Sequence, residues 1–247
     1  MPRVSIIIPC YNYANFIIDC VASCVSQDFN DIEIIVVDDC STDDSATAAA
    51  SSGDERIKVL STEKNSGYST AKNIGIRHSS GEFLAFIDAD DMLTPDSISR
   101  RLEVFDKHPE AQVVHGHALK IHGDVDYNTC VKEMKSLERH KSRLHAQGFL
   151  IRRSVFENFG LFYEQLRSKS DKEYWYRIGI HDKSPIKKKV NIRRCHYDVA
   201  FYRRHDKAMH KMRLVNKKYN DEIEALFEKR IKQLKKEGIT MENTVHL

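Results

Sequence analysis

The chain has 247 residues, of which 41% are hydrophobic and 30% charged, a composition suited to one large globular domain or two small ones. Its longest apolar runs are strand-length, which excludes a transmembrane helix. A formal net charge of +3 is too small to argue for a nucleic-acid partner. The six cysteines form no Cys-x-x-Cys pair, and the N-terminus shows no charged region, apolar stretch and cleavage site. Reduced thiols and a cytoplasmic location are therefore expected. Acidic residues dominate the first half, whereas basic residues gather after residue 130, as in Lys187-Lys188-Lys189 and Arg203-Arg204. Such a half can neutralise substrate phosphates or rest on anionic lipid at the inner face of a membrane. For Lys187 to Lys189 alone, a solvated charged face is the plainer reading.

Taken in order, residues 4–8 are apolar and β-branched and predict a first strand, ended by Pro9, which has no N–H for a central ladder. Cys10-Tyr11-Asn12-Tyr13 follows as a loop at its carboxyl end. Residues 15–27 place Phe16, Ile17, Cys20, Val21, Cys24 and Val25 at helical spacing. Residues 32–37 predict the second strand, with Asp38-Asp39 at its end. Ser41-Thr42-Asp43-Asp44 has the hydroxyls and acids of a helix start. Residues 57–60 predict a third strand, Asn65-Ser66-Gly67 a break, and residues 68–78 a helix stopped by Ser79-Ser80-Gly81. The fourth strand begins at Phe83. This alternation implies a parallel sheet covered on both faces by helices.

Later signals are looser. Pro95 begins a helix reaching Phe105, and residues 112–121 predict a strand. Residues 123–145 read as a mobile loop or short helix. A strand over 148–151, a helix over 152–159 stopped by Gly160, an aromatic-rich helix over 170–180 and a strand over 190–203 follow. Residues 211–237 carry Met212, Val215, Tyr219, Ile223, Leu226 and Leu234 in three- and four-residue steps, with a charged opposite face. This long helix is expected to dock on the domain; a homodimer seam or peripheral membrane contact is the minority reading.

The fourth strand, Phe83-Leu84-Ala85-Phe86-Ile87, runs directly into Asp88-Ala89-Asp90-Asp91. Ionised carboxylates are costly to bury unless paired or bound to a metal. In open α/β sheets the crevice beyond the carboxyl ends of the strands is where ligands sit. Side chains at i and i+2 of an extended segment point the same way, so Asp88 and Asp90 can face one ligand with Asp91 turned inward. Mg²⁺ is commonly held by one or two carboxylates and substrate phosphates. The run alone fits a metal–diphosphate site and an acidic surface turn equally well. Polar groups at three separate strand ends favour the ligand crevice.

These motifs in combination resemble glycosyltransferase family 2. Val4-Ser5-Ile6-Ile7-Ile8-Pro9 with Tyr11-Asn12 is similar to its first strand and loop, and Val36-Val37-Asp38-Asp39 with Ser41-Thr42-Asp43 to its second. Asn65, Gly67 and Ala71-Lys72-Asn73-Ile74-Gly75 resemble the helix before its acidic strand. Asp88-Ala89-Asp90-Asp91 with Pro95-Asp96 resembles its Asp-x-Asp motif. Arg152-Arg153-Ser154-Val155-Phe156 with Gly160, and Tyr202-Arg203 with His205, resemble two later elements. The likeness covers about residues 3–210.

The resemblance implies a GT-A fold: an α/β, Rossmann-like, mostly parallel sheet flanked by helices, with a C-terminal acceptor-side region and a terminal helix. It divides the chain into a nucleotide-sugar-binding subdomain (1–110), an acceptor-binding and catalytic subdomain (111–210) and a helical extension (211–247). It implies that Asp39 meets the base imino group, that Pro9 and Tyr11 line the base pocket, and that Asp88 holds the ribose. Asn12, Asp38, Ala89 and Arg203 are placed in the same donor site. Asp90 would bind a divalent cation, Mn²⁺ or Mg²⁺, with His205 as second contact. Lys72 either approaches the nucleotide or is a plain helix lysine.

Family members invert configuration, which needs one base on the acceptor side. Here Ser170-Asp171-Lys172-Glu173-Tyr174-Trp175-Tyr176-Arg177 matches the family's aspartate, tryptophan and arginine, but Ser170 replaces the preceding Glu. Asp171 is the expected base and Glu173 the fallback; Trp175 is read as core. The processive Gln-x-x-Arg-Trp motif is absent, so one sugar is expected per encounter, moved from a nucleoside-diphosphate sugar to a glycan or lipid-linked acceptor. The competing reading is a nucleotide-sugar-binding protein lacking transferase activity. A dinucleotide-dependent oxidoreductase would need Gly-x-Gly-x-x-Gly where this chain has Pro-Cys-Tyr-Asn.

Overall fold

The computed structural model describes residues 1–140, 146–166, 169–180, 190–206 and 217–237. In chain order, β1 (Val4–Cys10), α1 (Ala14–Val25), β2 (Ile32–Asp38), α2 (Ser45–Ala50), β3 (Ile57–Ser61), α3 (Tyr68–His78) and β4 (Phe83–Phe86) form the alternating first half. Then come β5 (Met92–Leu93), α4 (Ser97–Lys107), β6 (Val113–His122), α5 (Tyr127–Glu133), β7 (Phe149–Arg152), α6 (Arg153–Phe159), α7 (Ser170–Arg177), β8 (Ile192–Arg204) and α8 (Lys217–Glu237). The strands join in one sheet of order β3-β2-β1-β4-β7-β6-β8-β5. The β3 to β4 half is parallel, and β6 runs parallel to β8. The β4–β7, β6–β7 and β5–β8 pairs are antiparallel, so the sheet is mixed beyond β4.

The continuous apolar runs are explained by burial on both faces. Ile6, Ile8, Ile34 and Val36 pack with Ile17, Cys20, Val21 and Cys24 of α1. On the other face Ile7, Leu84 and Phe86 pack with Phe156, Phe159, Tyr174 and Trp175. Trp175 stacks on Phe149 at 4.2 Å between ring centroids, as the core reading expects. The terminal helix docks on the domain: Phe227, Ile231 and Leu234 of α8 pack against Leu166 and Tyr176. Its buried apolar stripe is thereby used within the chain. No described helix is long and apolar enough to cross a membrane.

Several local expectations are corrected. β1 does not stop at Pro9 but continues to Cys10, with Pro9 opposite Val37. Alternation of backbone direction turns Pro9 towards β4, which pairs with β1 only as far as Ile7, while Cys10 O on the β2 side still accepts from Asp39 N at 2.8 Å. A missing N–H there breaks no ladder bond. Ser41, Thr42 and Asp43 do not cap α2 in the expected way. Ser41 Oγ and Asp43 Oδ2 accept from Asn12 N at 2.9 Å and Ala14 N at 3.1 Å, and Thr42 N donates to Asn12 Oδ1 at 2.8 Å. These polar groups stitch the loop after β2 to the loop after β1. β5 was not expected, because two residues carry no periodicity. The aromatic helix ends at Arg177, and residues 123–140 contain α5. Residues 141–145, 181–189 and 207–216, which include the Lys187 to Lys189 cluster and the start of the expected long helix, lie outside the described residues.

The height of β4 against β1 sets where the acidic turn emerges. Gly81 fixes that register: its N–H donates to Ser5 Oγ at 2.9 Å, and a Cβ would lie 2.7 Å from Ser5 N and 2.8 Å from Val4 C. Backbone atoms cannot yield as a flexible side chain can. Gly81→Ala is expected to destabilise the protein by about 1–3 kcal/mol, as overpacking does, read as a lower melting temperature.

Candidate active site

β4 is fully buried to Phe86, and its last contact with β1 is Ile87 N to Ile7 O at 3.1 Å. The chain then turns, with Asp91 N donating to Asp88 O at 2.9 Å. Asp88, Asp90 and Asp91 place one carboxylate oxygen each within 4.8 Å of one another. Like charges this close repel strongly, so each needs donors. Asp88 Oδ1 accepts from Tyr68 OH, and its Oδ2 accepts from Gln147 Nε2 at 2.8 Å. Gln147 Nε2 also donates to Asp91 Oδ2, and Arg203 N donates to Asp91 Oδ1 at 2.7 Å. Asp91 is 1% exposed and faces inward as expected, but it does so through the turn and its bonds to Gln147 and Arg203 N rather than through an extended alternation. Burial, then the Asp90 charge, push the Asp88 carboxyl up to about 6, against the opposing pull of Lys72. Asp91 is raised well above the usual carboxylate range by the same two causes.

Asp90 faces His205: Nε2 lies 3.0 Å from Oδ2. The imidazole is held 4.5 Å from the Phe16 ring and edge-on to Tyr13 at 6.1 Å. Its Nδ1 is buried and has no hydrogen-bond partner among the described residues. Two ligands on neighbouring vertices of an octahedral ion, each about 2.1 Å from it, are about 3 Å apart. The spacing and the oxygen–imidazole donor set therefore fit a hard or borderline divalent cation. Tyr13, pressed against the turn, has its hydroxyl pKa raised by burial and by Asp90, Asp88 and Asp91.

Beyond β1, Tyr11 is 42% exposed, while Pro9 and Ala89 are buried, so Ala89 can offer a ligand only its backbone. Asn12 adopts a left-handed φ of 58° and uses its amide oxygen on Thr42 N, which makes it a loop tie rather than a free ligand group. Asp39 is likewise engaged. Its oxygens accept from Thr62 Oγ1 at 3.1 Å, Ser66 N at 2.8 Å and Gly67 N at 2.6 Å. Asp38 Oδ2 accepts from Ser41 N at 3.2 Å, whereas Oδ1 is buried without a described partner.

Arg203 departs most from expectation. It is 1% exposed, and its guanidinium donates to Asp90 O at 2.9 Å and Gly123 O at 2.9 Å and lies 5.1 Å from the Phe16 ring. It is a strut beneath the acidic turn and presents nothing to a donor. Lys72 is not a solvated helix lysine: it is fully buried and paired with Asp171. On α7, Asp171 and Glu173 are two residues apart and so on opposite sides of the helix. The Asp171 side chain keeps 26% of its surface exposed. Glu173 is fully buried, bound by Arg177 at 2.8 and 3.1 Å and by Arg230 of α8 at 3.3 Å. It ties α8 to α7 and has no open face towards an acceptor, which corrects its place as fallback base. Ser170 is buried with its hydroxyl unpartnered among the described residues.

Tyr68, Gln147, Tyr13 and Phe16 complete the site and were not singled out from the sequence. Tyr68 stands first in α3, just after the Gly67 break, a helix-start position that could have marked it. Gln147 carries no signal, since it meets Asp88 across 59 residues of chain.

A sheet of this order with an acidic turn at the carboxyl end of β4 is a GT-A fold. It is similar to Staphylococcus aureus TarS, residues 1–349, solved with UDP-GlcNAc (TM-score 0.66, 21% identity, 93% of this chain and 72% of that one). It is also similar to a mannosyltransferase of Pyrobaculum calidifontis solved with GDP-Man and Mn²⁺ (TM-score 0.63, 19% identity, 86% and 60%). The chain belongs to glycosyl transferase family 2, whose sequence profile matches residues 5–211. An uncharacterised glycosyltransferase of Rickettsia prowazekii is 30% identical over 188 residues, 72% of this chain and 58% of that protein. The succinoglycan biosynthesis protein ExoO of Rhizobium meliloti is 33% identical over 103 residues, 42% of this chain and 30% of that protein. The chain thus spans just over half the length of the Rickettsia relative.

The raised carboxyls predict a stability effect with a definite sign. Asp88 moves from 3.8 to about 6 on folding, so stability is lost as the pH rises through that window. Without added cation, Asp90→Asn removes a repelling charge and should raise the melting temperature at pH 8 by about 2–4 °C, on the order of 1 kcal/mol. The gain should shrink at pH 5, where Asp88 holds its proton. In contrast, Glu173→Gln leaves Arg177 and Arg230 without a buried counter-charge, and a loss of about 3–5 kcal/mol is expected in denaturant unfolding.

Proposed function

We propose that the protein is an inverting, non-processive glycosyltransferase. It moves one sugar from a nucleoside-diphosphate sugar, a UDP-sugar by preference, to a hydroxyl of a glycan or lipid-linked acceptor. The observation that carries this reading is the pair Asp90 and His205, 3.0 Å apart at the end of β4, with the exposed edge of Asp171 across the crevice. Asp90 and His205 would hold a divalent cation, Mn²⁺ or Mg²⁺. When bound, that ion supplies Lewis-acid stabilisation to the negative charge of the leaving nucleoside diphosphate.

The chain's own residues have separable tasks. Tyr11 offers an exposed ring against the base, which Asp38 and Asp39 at the end of β2 would flank. Tyr68 and Gln147 hold Asp88 against rotation, so that it keeps one orientation towards the ribose. Asp171 accepts the proton of the acceptor hydroxyl as that oxygen bonds to the anomeric carbon and the sugar–phosphate oxygen bond breaks on the opposite face. Arg203 works through Asp90 and Asp91 rather than on substrate.

A second reading, a nucleotide-sugar-binding protein without transfer, draws on two observations. Ser170 stands where the family carries Glu, and Asp171 is engaged by Lys72. The two readings separate on Asp171→Asn assayed with a panel of nucleoside-diphosphate sugars and Mn²⁺. The transferase reading expects a loss of transfer of about 10²–10⁴-fold. The donor should still raise the variant's melting temperature, by about 2.7 kcal/mol of stabilisation at a hundred times its Kd. Unchanged turnover removes Asp171 from the chemistry; donor binding without turnover by the native protein favours the second reading.

A further inference from the structure

α3 presents an unusual side chain to the inside of the protein. Lys72 is 0% exposed, yet it is a charged residue on an amphipathic helix that has solvent on its other side. Three rings surround its ammonium: Nζ lies 4.1 Å from the Tyr68 centroid, 4.6 Å from Phe162 and 5.3 Å from Phe86. Such faces attract a desolvated cation but do not neutralise it. Its ion-pair partner among the described residues is Asp171 Oδ1, on α7, 99 residues away. A buried ammonium without a carboxylate is costly, so this pair is held firmly.

The box is built by α3 itself and by one loop. Tyr68 and Lys72 are four residues apart and share a helix face. Asn73, next along, clasps the segment that supplies Phe162: Oδ1 accepts from Phe162 N at 2.9 Å and Nδ2 donates to Phe162 O at 2.8 Å. Nδ2 also donates to Glu164 Oε1 at 2.9 Å, and Ser69 Oγ to Leu166 O. The same Tyr68 whose ring faces Lys72 gives its hydroxyl proton to Asp88. One helix thus touches the donor-side carboxylate through Tyr68 and the acceptor-side carboxylate through Lys72. Asp171 has one oxygen pinned by a side chain without rotamer freedom. No described group bonds its second oxygen, and the side chain stays open to solvent.

We propose that Lys72 is a positioning residue for transfer: boxed by Tyr68, Phe86 and Phe162, it pins one oxygen of Asp171 and so registers the acceptor-side carboxylate against the donor-side turn. It touches neither donor nor acceptor. The inference rests on Asp171 being the base.

The test compares native protein, Lys72→Met, Lys72→Arg and Asp171→Asn, each with its best donor and Mn²⁺. Lys72→Met keeps the length and apolar bulk of the side chain and removes the charge. The expected result is a kcat 10- to 100-fold lower, with the KM for donor and the donor-induced rise in melting temperature within two-fold of native. Lys72→Arg should recover at least five-fold over Lys72→Met. In the Asp171→Asn background, Lys72→Met should lower residual turnover no further. Native-like kcat in Lys72→Met overturns the proposal, and so does loss of donor binding, which would make Lys72 a nucleotide contact. Should Lys72→Met fail to fold, Asp171→Asn alone decides: the pair requires its melting temperature to fall, with partial recovery in Lys72→Met/Asp171→Asn if that variant folds. An unchanged melting temperature in Asp171→Asn overturns the pairing. A native protein that binds donor but transfers nothing overturns the transferase reading and this proposal together. An active native protein with an indifferent Lys72→Met overturns this proposal alone.

Discussion

The site depends on one constraint: three carboxylates within 4.8 Å of one another must be held together at the end of a buried strand. Their mutual repulsion and partial desolvation favour rotation outward or protonation. The protein opposes both with directed donors. Tyr68 from α3, Gln147 from the turn before β7, and the backbone N–H of Arg203 from β8 converge on Asp88 and Asp91. Asp90 is left as the member facing His205. The sheet supplies two of these donors because it continues past β4 through β7 and β6 to β8. The mixed second half of the sheet is therefore part of the site's electrostatics as well as its frame.

A second consequence is the division of labour among charged side chains. Arg203 and Glu173 sit in motifs that resemble ligand-binding and base positions, yet both are buried and spent on other protein groups. Arg203 supports the carbonyl of Asp90, and Glu173 binds Arg177 and Arg230 and so fastens α8 over α7. Their effect on the crevice is mechanical. Asp90, His205, Tyr11 and Asp171 retain exposed or partly exposed polar surface, which is what a ligand can use. At the ends of β1 and β2, Asn12 and Asp39 bond the 41–42 loop and the 62–67 turn, while one buried oxygen of Asp38 has no bond from a described group.

α3 stands at the joint between the two halves of the crevice. Its C-terminal turns pack on β1 and β2, and its N-terminal face carries Tyr68, Ser69, Lys72 and Asn73 against Asp88 and the 162–171 segment. A helix fixed to the sheet on one side and to the 162–171 segment on the other transmits position between them. That coupling needs no motion, only rigid groups with well-defined partners.

Local physics wrote much of this fold into the chain. Continuous apolar runs ended by polar groups, Tyr11-Asn12 after β1 and carboxylates after β2 and β4, marked these strands, because strands covered on both faces need such runs and their ends can present polar groups to a crevice. Helical spacing marked α1, α3 and α4, and the run Asp88-Ala89-Asp90-Asp91 marked the acidic turn, whereas the inward setting of Asp91 came from the turn itself and its donors. The sequence could not disclose which charged side chains would be consumed internally. That depends on partners such as Gln147 for Asp88, Asp171 for Lys72 and Arg230 for Glu173, each brought close across 57 to 99 residues. Spacing rules reach only one or two turns of helix or the facing strand, so tertiary packing alone decided whether a carboxylate serves the protein or its ligand.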